Sequence, residues 1–269
     1  MKRIKLVVAY DGTNYNGWQA QPMGTTVEGM LNRALTELTG EQIEVIGASR
    51  TDEGVHSMGN IAVFDTYARI PAEKFSFALN QRLPEDIVVQ DSCEVPLGFH
   101  PRRCESKKTY VYKILNRQFP RPLNRYDTYF CYYKLNLEKM QNAAEYLVGT
   151  HDFKSFCSVH TQAATTVRTI YRLEVSRQDE VVCIRVTGSG FLYNMVRIIA
   201  GTLLQVGKGE REPKDMLSIL EAVDRKAAGP TAPAHGLTMV GIEFNDEVFD
   251  EAFDEEKNLT HTKTETIIL

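Results

Sequence analysis

The chain has 269 residues, 43% of them hydrophobic, and a formal net charge of −4. That length and apolar content allow one large domain or two halves with cores of their own. After the basic start only Leu6 to Tyr10 form an apolar run, too short for a signal-peptide core, and no stretch approaches the roughly 18 apolar residues of a membrane helix, so a soluble, cytoplasmic protein with no membrane partner is expected.

In chain order, KRIKLVVAYDG reads as a strand ending at a turn. Thr25 and Glu28 have capping-box spacing, and Val27, Met30, Leu31, Ala34, Leu35 and Leu38 recur at helical period until Gly40. Ile43 to Ala48 and Asn60 to Thr66 predict two strands, Pro71 to Gln81 a helix opened by proline, and Ile87 to Val95 a strand. The second half repeats the order: strand Thr109 to Asn116, helix Leu137 to Val148, strands Val167 to Arg177 and Val181 to Thr187, helix Phe191 to Val206, a short helix near Asp215 to Val223, and strand Met239 to Phe244. Two copies of a split β-α-β pattern predict an α+β chain of two ferredoxin-like (βαββαβ) halves with antiparallel sheets joined side by side. The expected divisions are 1–107, carrying the loop discussed next, 108–245, and an acidic tail 246–269.

The charge is unevenly spread. From Asp246 onward eight acids meet two bases, a balance of −6 that leaves the rest of the chain at +2. His100 to Arg125 holds eight bases and one acid, Glu105, a window suited to a nucleic-acid face or simply to solvent. The five cysteines lie far apart without metal-ligand spacing, so no metal site or disulfide framework is expected, and they read as reduced, mostly buried small hydrophobes.

The loop SRTDEGVHSMG, residues 49–59, places Arg50, Thr51 and Asp52 together between apolar runs. It reads either as a turn with a salt bridge or as a catalytic carboxylate. The helix FLYNMVRIIAGTLLQV is apolar almost all round yet carries Arg197 in its middle, and a buried guanidinium needs an anion. Asp52, another carboxylate and an RNA phosphate are the candidates. If Asp52 is the partner, the opposite charge lowers its pKa and suits it to act as nucleophile or base. Glycosidases commonly need two carboxylates, whereas Glu53 on an extended loop points away from Asp52, so a reaction without water or a strong acid is favoured. Tyr110 and Tyr112 share a strand face beside the bases; aromatics there suit a stacked, flipped-out base, or else a tyrosine core.

These residues resemble the TruA family of tRNA pseudouridine synthases. Arg50-Thr51-Asp52 with Gly54-Val55-His56 is similar to its R-T-D-x-G-V-H signature. Tyr10-Asp11-Gly12 with Gly17-Trp18-Gln19, Asn80 with Leu83-Pro84, Phe99 with Arg102, Gly149 with Asp152-Phe153 and Ser155-Phe156, and Met195-Val196-Arg197 follow its order. The resemblance implies the pseudouridine synthase fold and isomerisation of uridine to pseudouridine at positions 38, 39 and 40 of the tRNA anticodon stem-loop, by a homodimer without cofactor. It implies catalytic Asp52, Tyr110 and Arg197, and substrate binding by Arg50, Thr51, Gly54, His56, Arg102, Lys107, Lys108 and Tyr112. Glu53, Ser49, Ser57 and the 103–105 segment depart from the family's usual residues, which leaves open a paralogue acting on other uridines in tRNA or another structured RNA. The rival classes are a non-catalytic RNA-binding protein and a uracil-releasing hydrolase.

Overall fold

The structure, a computed structural model, describes residues 1–159, 161 and 163–245, so the acidic tail lies outside the described residues. The chain condenses into two units. Among the described residues the first holds 1–51, 57–106 and 242–245; the second holds Asp52–His56 and Lys107–Gly241.

In the first unit the elements are β1 (Lys2–Tyr10), α1 (Val27–Thr39), β2 (Ile46–Gly47), β3 (His56–Thr66), α2 (Phe75–Asn80) and β4 (Ile87–Val95). β1 lies between β4 and β3, antiparallel to both, and β2 adds to the other edge of β3. The order 4-1-3-2 is that of the split β-α-β unit. Ile4, Leu6, Val8 and Tyr10 alternate inward on β1 and meet Val27, Leu31 and Leu35 of α1 and Phe75 and Leu79 of α2. This match of a period of two to a period of 3.6 closes the core.

Three local expectations shift. Thr26, not Thr25, caps α1, accepting from Gly29 N at 3.2 Å. Glu28 takes the Trp18 indole N–H (3.3 Å) and Ala20 N (2.7 Å) instead of closing a capping box. The strand expected over Ile43 to Ala48 shrinks to β2 because two of its backbone donors go to α1 side chains: Ile43 N to Thr36 Oγ1 (3.2 Å) and Val45 N to Asn32 Oδ1 (2.8 Å). The helix expected from Pro71 opens as a 3-10 turn at Ala72–Lys74 before α2.

The second unit contains β5 (Ser106–Asn116), β6 (Tyr129–Cys131), α3 (Leu137–Glu145), β7 (Gly149–Asp152), β8 (Val167–Gln178), β9 (Val181–Gly188), α4 (Met195–Lys208), α5 (Asp215–Ala222) and β10 (Leu237–Phe244). Its strands run β10-β5-β9-β8, again 4-1-3-2, with β7 beyond β8 and β6 parallel to β5. The short β6 and β7 carry no alternation long enough to mark them in the sequence. Helix α4 begins four residues later than expected, since Asn194 takes a left-handed conformation (φ 61°). Ile198, Ile199, Leu203 and Val206 of α4 are buried.

A strap, residues 229–233, crosses α4 at close quarters. Ala232 N donates to Arg197 O at 3.0 Å, and Gly229 N to Thr202 Oγ1 at 2.9 Å. Gly201 permits this approach, since a Cβ there would fall 1.9 Å from Pro230 O. Gly201→Ala must therefore push the strap outward. We expect a loss of about 3 kcal/mol, at the upper end for overpacking, and a thermal midpoint lower by roughly 5–10 °C by calorimetry. An unchanged midpoint would mean that the strap is not held by packing.

Candidate active site

The loop between β2 and β3 is held from the first unit up to Thr51. Thr51 Oγ1 shares a 2.7 Å hydrogen bond with Tyr10 OH, and Thr51 O accepts from Trp18 N at 3.1 Å. Both Tyr10 and Trp18 are buried, so these two residues of the first motif segments anchor the loop. Beyond Thr51 the chain turns tightly. Val55 N donates to Asp52 O (3.2 Å), and Gly54 sits at φ 74° with room for a Cβ only at 3.2 Å from Ala234 Cβ. A side chain at 54 would be strained by backbone as well as by space. His56 is buried, with Nε2 donating to His235 O at 3.2 Å. Thr51, Gly54 and His56, expected to bind substrate, also shape the loop.

Within the second unit Arg197 meets Asp52, with Nη1 to Oδ2 at 3.4 Å and side chains 18% and 16% exposed. Of the partners open to Arg197 from the sequence, Asp52 is the one it reaches. The guanidinium is held more closely by two neutral acceptors, Ala232 O on Nε (2.8 Å) and Asn194 Oδ1 on Nη1 (2.8 Å). Charge-assisted bonds of good geometry are about 2.7–2.9 Å, so the ion pair is the slackest of the three contacts.

That slackness reverses one expectation. Burial pushes the Asp52 carboxyl above its ordinary value, and the charge and hydrogen bond of Arg197 pull it back only in part. Desolvation wins over an ion pair at this distance. Neighbouring groups shift as well: burial, His56 and Arg197 lower His235, and burial raises the Tyr112 hydroxyl well above its usual range.

Tyr110 is buried at the base of β5, edge-on to Phe191 with centroids 5.2 Å apart. Tyr112 is wholly enclosed, and its hydroxyl donates to Pro233 O at 2.9 Å, so it supports the strap. The alternation of the two tyrosines gives their face but not their depth. Arg50 and Glu53 are exposed while Asp52, at the start of the tight turn, is turned inward. Arg102 and Lys107 are exposed and Lys108 half-buried; the Lys107 ammonium lies 5.7 Å from the Tyr171 ring centroid.

The basic window does not present eight free charges. Lys113 pairs with Asp127 at 3.5 Å, and Arg117 and Arg121 both reach Glu180. Other motif residues are fasteners. Asn80 brackets Val89 with bonds of 2.9 and 2.8 Å, and Ser155 Oγ accepts from Asp224 N at 2.9 Å. All five cysteines are free; Cys131 and Cys157 are buried, whereas Cys93, Cys104 and Cys183 are only half-buried. Among the described residues no group of three His, Cys, Asp or Glu is placed to hold a metal, and no helix is long and apolar enough to cross a membrane.

The sequence profile of the tRNA pseudouridine synthase family matches residues 6–102 and 143–245. Asp52 and Arg197 fall within the matched stretches and Tyr110 between them. The tRNA pseudouridine synthase A of Acetivibrio thermocellus is 49% identical over 242 residues, covering 90% of this chain and 99% of that protein. That of Caldicellulosiruptor bescii is 45% identical with the same coverage of each chain. Among solved structures, a Cbf5-Nop10-Gar1 complex matches at 12% identity over 87% of this chain and 56% of that one, with a TM-score of 0.29. The α+β architecture is that of a pseudouridine synthase, and the chain belongs to the tRNA pseudouridine synthase family.

The raised Asp52 pKa has a sign for stability. Folding favours the protonated carboxyl, so ionisation above that pKa weakens the native state, and the penalty vanishes below the ordinary value where both states are protonated. Asp52→Asn should therefore melt at or above the native temperature at pH 7, with the gap closing as pH falls. A clearly lower melting temperature at pH 7 would mean that the ion pair outweighs desolvation.

Proposed function

We propose that the protein isomerises uridine to pseudouridine in tRNA, at positions 38, 39 and 40 of the anticodon stem-loop, acting in the cytoplasm as a homodimer. The observation that carries this reading is an inward-turned carboxylate, Asp52, opposed by Arg197. The family membership and the two 49% and 45% identical tRNA pseudouridine synthases A support the substrate class.

In this reading Asp52 acts on the ribose of a flipped-out uridine, either by attack at C1′ or by removing the 2′ proton, and the C1′–N1 bond breaks. The freed uracil turns and rejoins C1′ through C5; the C5 proton leaves and N1 gains one, so atoms balance without water or redox change. Enclosure protects the sugar from water. A carboxylate made more basic by burial is a better nucleophile or base once ionised, and Arg197 keeps that ionised form within reach. Tyr110 borders the base and helps take the C5 proton. Arg50, exposed beside Asp52, takes part in extruding the nucleotide, a step of a few kcal/mol. Arg102, Lys107 and Lys108 meet phosphates, which gives salt-dependent binding with little sequence reading.

The decisive assay is tritium release from a tRNA transcript labelled at uracil C5. The native protein should release tritium without free uracil, and Asp52→Asn should bind tRNA normally yet lose at least about a thousandfold in rate, the scale for removing a nucleophile. Free uracil would point to hydrolysis, and an active Asp52→Asn would remove the aspartate from the chemistry. The rate should rise with pH along a limb lying above the ordinary carboxylate value of about 3.9. Arg197→Met, which deletes the opposing charge, should move that limb to still higher pH, read from kcat profiles on the same transcript.

A further inference from the structure

Asn194 stands at the N-cap of α4, a position where asparagine normally spends its side chain on the helix. Here it makes no capping bond. Its Oδ1 accepts from Arg197 Nη1 at 2.8 Å and its Nδ2 donates to Ser158 Oγ at 3.1 Å. The backbone at φ 61° and ψ 6° turns the side chain away from the first turn, and asparagine is among the few residues that adopt this conformation readily. An uncommon backbone state thus serves a bond to the arginine that faces Asp52.

Three contacts compete for one guanidinium. Ala232 O and Asn194 Oδ1 both sit at 2.8 Å, and the carboxylate, the only charged acceptor of the three, sits at 3.4 Å. Left free, an arginine closes on a carboxylate to the shorter distance, because that bond is the strongest available. We infer that Asn194 is a positioning residue that tethers Arg197 short of a tight ion pair, so that Asp52 stays basic enough to act on the sugar. The inference rests on the reading of Asp52 as the reacting group.

The charged and titratable groups around the pair are Arg197 itself, His56 and His235 behind the loop, and Tyr112 beside the strap, with Arg50 and Glu53 exposed on the loop. Of these, Arg197 is the group that Asn194 bonds. Asn194→Gly keeps the left-handed backbone and deletes the amide, while Asn194→Asp keeps an acceptor and adds a second carboxylate. With the tether gone, Arg197 closes on Asp52; with a charged tether, Arg197 is drawn further away.

The test compares native protein, Asn194→Gly and Asn194→Asp as full chains on the tRNA transcript. It follows kcat against pH and the Asp52 carboxyl titration by carbon-13 NMR. We expect KM to stay within about twofold, kcat of Asn194→Gly to fall roughly three- to tenfold by loss of carboxylate basicity, and its acid limb and Asp52 titration to move to lower pH. Asn194→Asp should move both to higher pH. Opposite shifts are what a merely structural residue would not produce. Unmoved titrations in both variants, or an upward shift in Asn194→Gly, would overturn the tether; should Asn194→Gly fail to fold, an unmoved Asp52 titration in Asn194→Asp does the same. A native protein that releases no tritium while the NMR shifts appear would overturn the catalytic reading and leave the tether standing.

Discussion

A guanidinium placed in the first turn of an apolar helix, α4, is the constraint to which the second unit is fitted. Arg197 cannot shed its charge, and its side chain is 18% exposed, so its donors must be met from inside the protein. Nε and Nη1 are met from three segments: the strap through Ala232, the turn before α4 through Asn194, and the loop after Thr51 through Asp52. Each segment has its own local device. Gly201 lets the strap come close, a left-handed residue aims the asparagine, and Gly54 folds the loop back. A change in any one of them reaches the carboxylate through the same arginine.

The carboxylate is then held in a state that stability alone would not select. Burial raises its pKa and an ion pair at full strength would lower it again, yet the pair is left at 3.4 Å. A buried pair with excellent geometry would serve folding better, since it repays more of the desolvation of both charges. A slack pair leaves an anion whose basicity is raised and whose lone pairs are not all engaged. That is the condition the proposed nucleophile or base needs.

Much of this was legible in the sequence, for reasons that differ residue by residue. β4 matches its expected bounds because alternation and flanking turn residues leave one solution, and the Arg197 partner was bounded because a charge among Val196, Ile198 and Ile199 demands an anion. The strap was not legible: Ala232 acts through its backbone carbonyl, and a backbone acceptor has no residue signature. Asn194 read as one more position in a continuous helix, since the helical period of its neighbours hides a left-handed turn that only the tertiary contact with Arg197 explains. The direction of the Asp52 shift was missed because it depends on how deeply the carboxyl is buried and how far it lies from Arg197, neither of which the sequence states.

Arginine rather than lysine at position 197 follows from the same geometry. Nε and Nη1 are engaged at once, in different directions within one plane, by Ala232 O and by Asn194 Oδ1 together with Asp52. A planar fork fixed at two corners has little freedom to rotate, so the distance from its third contact to the carboxylate is set by the scaffold. An ammonium group is a single point on a flexible stem. It would satisfy charge neutrality but would settle directly on the carboxylate, because nothing could hold it off while still meeting its donors. The site thus uses the shape of the cation, and not only its sign, to keep opposite charges near one another and short of full contact.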